Sequence, residues 1–207
     1  MEDPKRSLED AEDLLRKSDA VMNDLISRHG PCTLNETKYS PFHLLVRSII
    51  SQQLSWKAAD TISNRLESIV GSPFLPFRII RTSDHILRSA GLSTKKLSCI
   101  REISRMVIEE DLSFENMDKK SDEEIVNLLT KVSGIGRWTA EMFLIFGLKR
   151  LDIFSYGDAG LRRAISSLYS DDSENSADVL RISENWRPYR SVASWYLWRS
   201  LDSPERK

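Results

Sequence analysis

Cysteine is scarce: of 207 residues only Cys32 and Cys99 carry a thiol. Two isolated thiols suit a reducing compartment and exclude a zinc or iron–sulfur framework, which takes about four ligands. The three histidines fall at no metal-ligand spacing. No apolar run reaches the roughly 18 residues that span a bilayer. The opening MEDPKRSLEDAEDLL is polar and acidic, unlike a secretory signal. An excess of either charge is also missing, since 30 Lys and Arg stand against 31 Asp and Glu for a net of −1. The total therefore argues mildly against a nucleic-acid partner, because such proteins are often basic overall, although a neutral sum can hide a positive face. There is no convincing strand alternation, no internal repeat and no low-complexity tract.

What is present is helical periodicity. Hydrophobic residues make up 40% of the chain and charged residues 29%, the balance of a globular protein with a sizeable core in one or two small domains. Leu8, Ala11, Leu15, Met22, Leu25 and Ile26 form one stripe, which predicts a first helix from near Ser7 to Gly30-Pro31. Further helices are expected over 42–51, 55–70, 77–81, 83–90, 94–110, 121–130, 138–148, 161–169, 177–186 and 188–201, with a polar loop at 171–176. The fold class is all-α.

The stretch 128–164, LLTKVSGIGRWTAEMFLIFGLKRLDIFSYGDAGLRRA, organises the rest. Gly134 and Gly136 bracket Ile135. Having no Cβ, they let the backbone approach a ligand closely. They also precede a helix start, where unpaired N–H groups and the dipole favour an anion. Ile135 can plug the turn into the core. An ordinary αα-corner closed by a glycine gives the same local pattern. Asp158 follows an irregular segment at 152–157 and opens another helix, where an N-cap aspartate explains it locally. Gln52-Gln53-Leu54 lies between two helices, and amides there can cap helix ends. Lys95, Lys96, Lys131, Arg137, Lys149, Arg150, Arg162 and Arg163 gather near these motifs, while acid-rich segments at 2–13, 109–124 and 171–178 lie elsewhere in the sequence. Solvated helix surface is the better explanation of any single one of these cations.

Three blocks in one order carry a resemblance: Ser51-Gln52-Gln53-Leu54-Ser55, the hairpin-to-Asp158 block, and Trp186-Arg187-Pro188-Tyr189-Arg190-Ser191 running on to Trp198. Over roughly residues 41–200 the chain resembles the helix–hairpin–helix DNA glycosylases, in particular the 3-methyladenine (alkylpurine) glycosylase II type. The resemblance implies a two-lobed helical glycosylase fold with a DNA-binding cleft between lobes at 41–130 and at 1–40 plus 131–207. It implies double-stranded DNA with a damaged base or abasic site as partner, no membrane, and a monomer. The implied location is the nucleus in a eukaryote or the cytoplasm in a bacterium.

Roles follow by resemblance. Gln52, Gln53 and Leu54 would enter the minor groove, with Gln53 filling the gap left by an everted nucleotide, which must leave the stack for chemistry on its base. Gly134 and Gly136, aided by Thr139, would hold a phosphate through backbone N–H groups, a contact blind to base sequence. No cofactor is required, but the carbonyls of Thr130, Val132 and Ile135 match positions that hold a monovalent cation, Na+ or K+. Asp158 would be the catalytic carboxylate, stabilising oxocarbenium character on the sugar. Trp138, Met142 and Trp198 would line the base pocket, Trp198 stacking on a cationic base. In relatives that also cleave the backbone a lysine stands at the position of Trp138. An indole forms no Schiff base, so base release here would be monofunctional, with water as nucleophile. Core packing is the alternative reading of Trp138. Many relatives carry an acid before the catalytic one, where this chain has Gly157. That departure keeps open a second reading, a catalytically weak or inactive homologue that binds and bends abasic or distorted DNA.

Overall fold

The computed structural model describes residues 4–36, 38–169 and 176–202. Among them there are twelve α-helices and no strand. The helices are α1 (Pro4–Ser18), α2 (Ala20–His29), α3 (Pro41–Ser51), α4 (Trp56–Val70), α5 (Pro76–Arg81), α6 (Asp84–Ser89), α7 (Thr94–Ile108), α8 (Asp122–Leu129), α9 (Arg137–Met142), α10 (Ala159–Leu168), α11 (Ser176–Glu184) and α12 (Arg190–Asp202). Of the predicted loop at 171–176 only Ser176 is described, as the first residue of α11; the remainder lies outside the described residues.

The chain divides into two compact units, one of residues 38–148 and one of residues 1–37 with 149–207. The sequence-based lobe boundary at 130/131 is thus displaced to 148/149. The reason is packing: α8 and α9 close on each other and α9 lies on α3, so a cut at 130 would separate the hairpin from the helices it is built on.

In the unit 38–148, α3 is the central element. Phe42, His43, Leu44, Leu45, Val46, Ser48, Ile49 and Ile50 are all buried, because α4, α7 and α9 pack around it. A helix apolar on most sides is stable only when covered on most sides. Ser40 caps it by accepting the His43 N–H, and Pro41 supplies the preset φ of a first helical position. His43 is fully buried, stacked between Tyr39 and Phe74 with ring centroids 4.0 and 4.3 Å away. Its Nδ1 accepts the Phe74 N–H at 3.0 Å. Burial, with Arg47 nearby, lowers its pKa to about 4, so the ring is neutral and its 3.7 Å approach to Glu67 is not an ion pair.

In the other unit α12 takes the central place, with Val192, Ala193, Tyr196, Leu197 and Trp198 all buried. Helices α1, α2 and α10 pack on it. The single predicted first helix is two helices. Asp19 breaks it, accepting the N–H groups of Val21 and Met22 as the N-cap of α2. The other oxygen of Asp19 accepts the Tyr169 hydroxyl at 2.7 Å and the Trp186 indole N–H at 2.8 Å. The break thus anchors two aromatic rings, while the apolar stripe runs on across it. The predicted helix 138–148 also differs. It is α9 followed by a wider π-type turn over Phe143–Gly147, closed by Leu148 N–H to the Phe143 carbonyl at 3.0 Å.

Candidate functional site

The glutamine turn and the hairpin belong to the unit 38–148. Ser51-Gln52-Gln53-Leu54 is a tight turn closed by the Leu54 N–H on the Ser51 carbonyl at 3.1 Å. Gln53 sits at its tip, exposed, with φ at 57°. A left-handed residue other than glycine costs about 1–2 kcal/mol, and persists only where its neighbours fix it. Here they do: Lys96 Nζ donates to the carbonyls of Ile50 (2.7 Å) and Gln52 (2.8 Å). Lys96 is half-buried and its pKa is lowered by burial. Leu54 is exposed beside Gln53. Trp56, whose function the sequence leaves open, is also exposed, with its ring edge-on to Phe146 at 5.9 Å.

Gln52 turns inward. Its Nε2 donates to the Gly134 carbonyl and to Thr139 Oγ1, both at 2.9 Å. The amide nitrogen of Gln52 is thus used within the protein, on the hairpin. Thr139 is buried and receives that bond.

The hairpin joins α8 to α9 through 130–136. Ile135 (4% exposed) and Val132 (2%) pin it to the core, and the Ile135 N–H donates to the Val132 carbonyl at 3.0 Å. Gly134 has φ of +92°, the region that favours glycine, and a Cβ there would also lie a tight 3.1 Å from Cys99 Cβ. Gly136 has an ordinary φ of −92° and open space where a Cβ would point. Both glycines are exposed, and among the described residues neither N–H donates to a protein group. On α9, Trp138 is half-buried and Met142 fully buried. Arg137, grouped by sequence with the cations near the motifs, is ion-paired with Glu123 at 2.7 Å and Glu141 at 3.0 Å. Lys95, Lys131, Arg162 and Arg163 remain exposed on their respective units.

The carboxylate belongs to the other unit. Asp158 is the N-cap of α10 and is 7% exposed. Its Oδ1 accepts the Leu161 N–H at 2.7 Å and the Trp198 indole N–H at 3.2 Å. Cap and motif readings thus meet in one side chain, and Trp198, 6% exposed, is held by the acid it accompanies. The closeness depends on Gly160, where a Cβ would lie 3.0 Å from Asp158 Oδ1 and 3.4 Å from Trp198 Cδ1.

The segment before Asp158 is tied down. Ser191 Oγ donates to the Arg150 carbonyl at 2.6 Å and receives the Ile153 N–H at 2.9 Å. Arg190 grips Asp152 with Nε at 2.8 Å and Nη2 at 3.1 Å and also reaches the Asp152 carbonyl. Phe154 is buried against Trp186. Asp158 N–H closes on the Ser155 carbonyl at 3.0 Å. Gly157 therefore sits in a braced loop; it is exposed, and a Cβ there would meet nothing. Of the last motif, Arg190 and Ser191 prove to be the bracing of this loop, and Tyr196 is core, its hydroxyl reaching Glu12 at 2.8 Å and the Gly30 carbonyl at 2.9 Å.

Sequence reasoning gave Lys96 only as one of the cations near the motifs, and assigned no role at the site to Cys99, Gly160 or His43. Lys96 and Cys99 act through contacts distant in sequence, and Gly160 through Asp158, two residues before it, and Trp198. His43 had a local signal in its position on an apolar face of α3.

An all-α chain with an exposed glycine hairpin and a buried, indole-bonded helix-capping acid defines a helix–hairpin–helix protein. Residues 46–188 match the family described as the HhH-GPD superfamily base excision DNA repair protein, and the chain belongs to that family. It is 36% identical over 180 residues to DNA-3-methyladenine glycosylase 1 of Schizosaccharomyces pombe, covering 85% of this chain and 78% of that protein. It is 31% identical over 195 residues to the alkylbase DNA glycosidase-like protein mag2 of the same organism, covering 91% and 92%. Among solved structures it is similar to the fission yeast 3-methyladenine DNA glycosylase Mag1 in complex with abasic DNA. That match has a TM-score of 0.86 and 32% identity, over 96% of this chain and 99% of the other. No described helix is long and apolar enough to cross a membrane.

Proposed function

We propose that the chain is a monofunctional alkylpurine DNA glycosylase that hydrolyses the N-glycosidic bond of a damaged base everted from duplex DNA. The observation that carries this is Asp158, a carboxylate held almost out of water by the Leu161 N–H and the Trp198 indole N–H. The names of the similar proteins, glycosylases of 3-methyladenine, support the substrate class. In the reaction the C1′–N bond breaks and its electron pair leaves with the base. An alkylated purine is already cationic, so it departs neutral without a strong acid. The sugar gains oxocarbenium character, which the Asp158 carboxylate stabilises. Water then adds to C1′ and its proton passes to Asp158 or solvent. Trp138 supplies no amine, so the reaction ends at the abasic site.

Gln53, exposed at the strained tip of its turn, is the residue we assign to the gap in the stack, with Leu54 beside it. The unengaged N–H groups of Gly134 and Gly136 are assigned to a phosphate; Trp138 and Met142 of the unit 38–148 are assigned to base contact by the resemblance, and so, separately, is Trp198 of the other unit. The carbonyls of Thr130, Val132 and Ile135 suit a monovalent cation by donor chemistry: Val132 O accepts one N–H and keeps a second lone pair. The protein acts as a monomer, in the nucleus of a eukaryotic cell or the cytoplasm of a bacterial one.

The test is release of free methylpurine from methylated duplex DNA by the purified protein, with Asp158→Asn as control. Release that the control abolishes supports the glycosylase. The second reading, a non-excising binder of abasic DNA, rests on Gly157 standing where relatives carry a further acid. It would be favoured by tight binding of an abasic duplex with no release of any methylpurine.

A further inference from the structure

Helix α7 carries none of the three motifs, yet it supports two of them. Lys96 and Cys99 stand one turn apart on it, and residues at this spacing share a helix face. Lys96 Nζ holds the Ile50 and Gln52 carbonyls, and so fixes the base of the glutamine turn. Cys99 is the side chain against which Gly134 packs, close enough that a Cβ there, 3.1 Å from Cys99 Cβ, would make it give by a few tenths of an ångström. Burial pushes the Cys99 thiol up to about 11, so at neutral pH it is an inert packing group. Gln52 then ties turn to hairpin directly, with one amide nitrogen shared between the Gly134 carbonyl and Thr139 Oγ1.

The geometry points to Gln52 as a latch: with Lys96 and Cys99 of α7 it makes the Gln53 tip and the Gly134–Gly136 amides one rigid reader. Gln52 is a positioning residue rather than a DNA contact. Its Gly134 bond orients a peptide group next to the amides assigned to phosphate. The carbonyl of the same residue is pinned by Lys96, which forces the following residue, Gln53, into its left-handed conformation at the tip. Insertion of the tip and grip on the strand then take place in a fixed relative geometry. A tip that cannot enter the stack withdraws the grip with it, and this helps to discriminate damaged from intact duplex. The use of the latch in discrimination rests on the proposed DNA reading; its existence as a mechanical link does not.

Two measurements separate those claims. Gln52→Met keeps the length of the side chain and removes both donated bonds. Hydrogen exchange on the free protein should then quicken by about ten-fold, the equivalent of roughly 1.4 kcal/mol of lost bonding, at the hydrogen-bonded amides of Leu54 in the turn and Ile135 in the hairpin. Lys96→Met should loosen the same two segments, while Lys96→Arg largely restores them. Unchanged exchange at Ile135 in Gln52→Met overturns the latch, whatever the DNA results. The second measurement is a double-mutant cycle on selectivity, taken as the affinity ratio of an abasic over an intact duplex. Gln53→Ala and Gln52→Met should each lower the ratio by about ten-fold, and the double variant should be no worse than either single one. Additive losses, or a uniform loss on both duplexes in Gln52→Met, would overturn the role in discrimination and leave Gln52 as scaffold. A wild-type protein that binds neither duplex would refute the DNA reading and leave the exchange result standing.

Discussion

Asp158 is asked to do two things, to cap α10 and to stabilise charge on a sugar, and substitution can separate them. Asparagine is as good an N-cap as aspartate, and its Oδ1 can accept the same Leu161 and Trp198 N–H groups. Replacing a charged acceptor by a neutral one weakens two bonds and also relieves the burial of a charge. Asp158→Asn should therefore cost at most about 1 kcal/mol. Asp158→Ala loses the cap, about 1 kcal/mol, and strands the Trp198 N–H in a nearly dry site, about 1–3 kcal/mol more. For a chain of this length the midpoint falls by about 2–4 °C per kcal/mol. The expected thermal shifts are thus a few degrees for the asparagine variant and roughly 5–15 °C for the alanine variant. Base release should be lost in both, by on the order of 10²-fold or more, while binding of an abasic duplex survives in Asp158→Asn. Thermal unfolding, single-turnover release and a binding titration read the three quantities. Equal destabilisation by both substitutions, or wild-type release by Asp158→Asn, would refute the reasoning.

Four further outcomes follow from the packing. Gly160→Ala inserts a Cβ 3.0 Å from Asp158 Oδ1; the gain in helix propensity, about 1 kcal/mol, offsets strain, so single-turnover release should fall about ten-fold or more with little change in melting midpoint. Gly134→Ala should lower stability and weaken every duplex alike, because φ is +92° and Cys99 crowds the Cβ. Gly136→Val should fold normally, so a loss of affinity seen by titration in that variant reports close approach of a phosphate, and unchanged affinity counts against the hairpin grip. His43 titrates at about 4 in the folded chain against 6.5 ordinarily. The folded state then binds fewer protons than the unfolded one between those values, so its contribution falls as pH drops from 6.5 to 4, by roughly 3 kcal/mol in all. Chemical denaturation of wild type and His43→Gln across that range should show the difference in slope, and parallel curves would contradict it.

The sequence made the hairpin and the capping acid legible because both are local patterns, glycines beside a helix start and an aspartate before an apolar stripe. It did not show the support beneath them. Gln52 meets Gly134 and Thr139 at separations of 82 and 87 residues, and Lys96 meets Ile50 at 46. No periodicity carries such pairings. Gly160 carried no signal in the sequence, because its constraint comes from where the Asp158 carboxylate and the Trp198 ring are held. The break at Asp19 was hidden for a different reason: the apolar stripe keeps its phase across the kink, although an aspartate followed by Ala20-Val21-Met22 is itself a local cap signal. Lobe assignment failed at the hairpin because sequence order says nothing of which neighbours α9 packs against.

The claim that a buried carboxylate stabilises positive charge on the sugar is tested most directly with two abasic duplexes, one carrying a neutral tetrahydrofuran and the other a cationic pyrrolidine. The wild-type protein should bind the pyrrolidine duplex on the order of 10–100-fold more tightly, about 1.4–2.8 kcal/mol, and Asp158→Asn should bind both alike. Equal affinity of the wild-type protein for the two duplexes would contradict the assignment of Asp158.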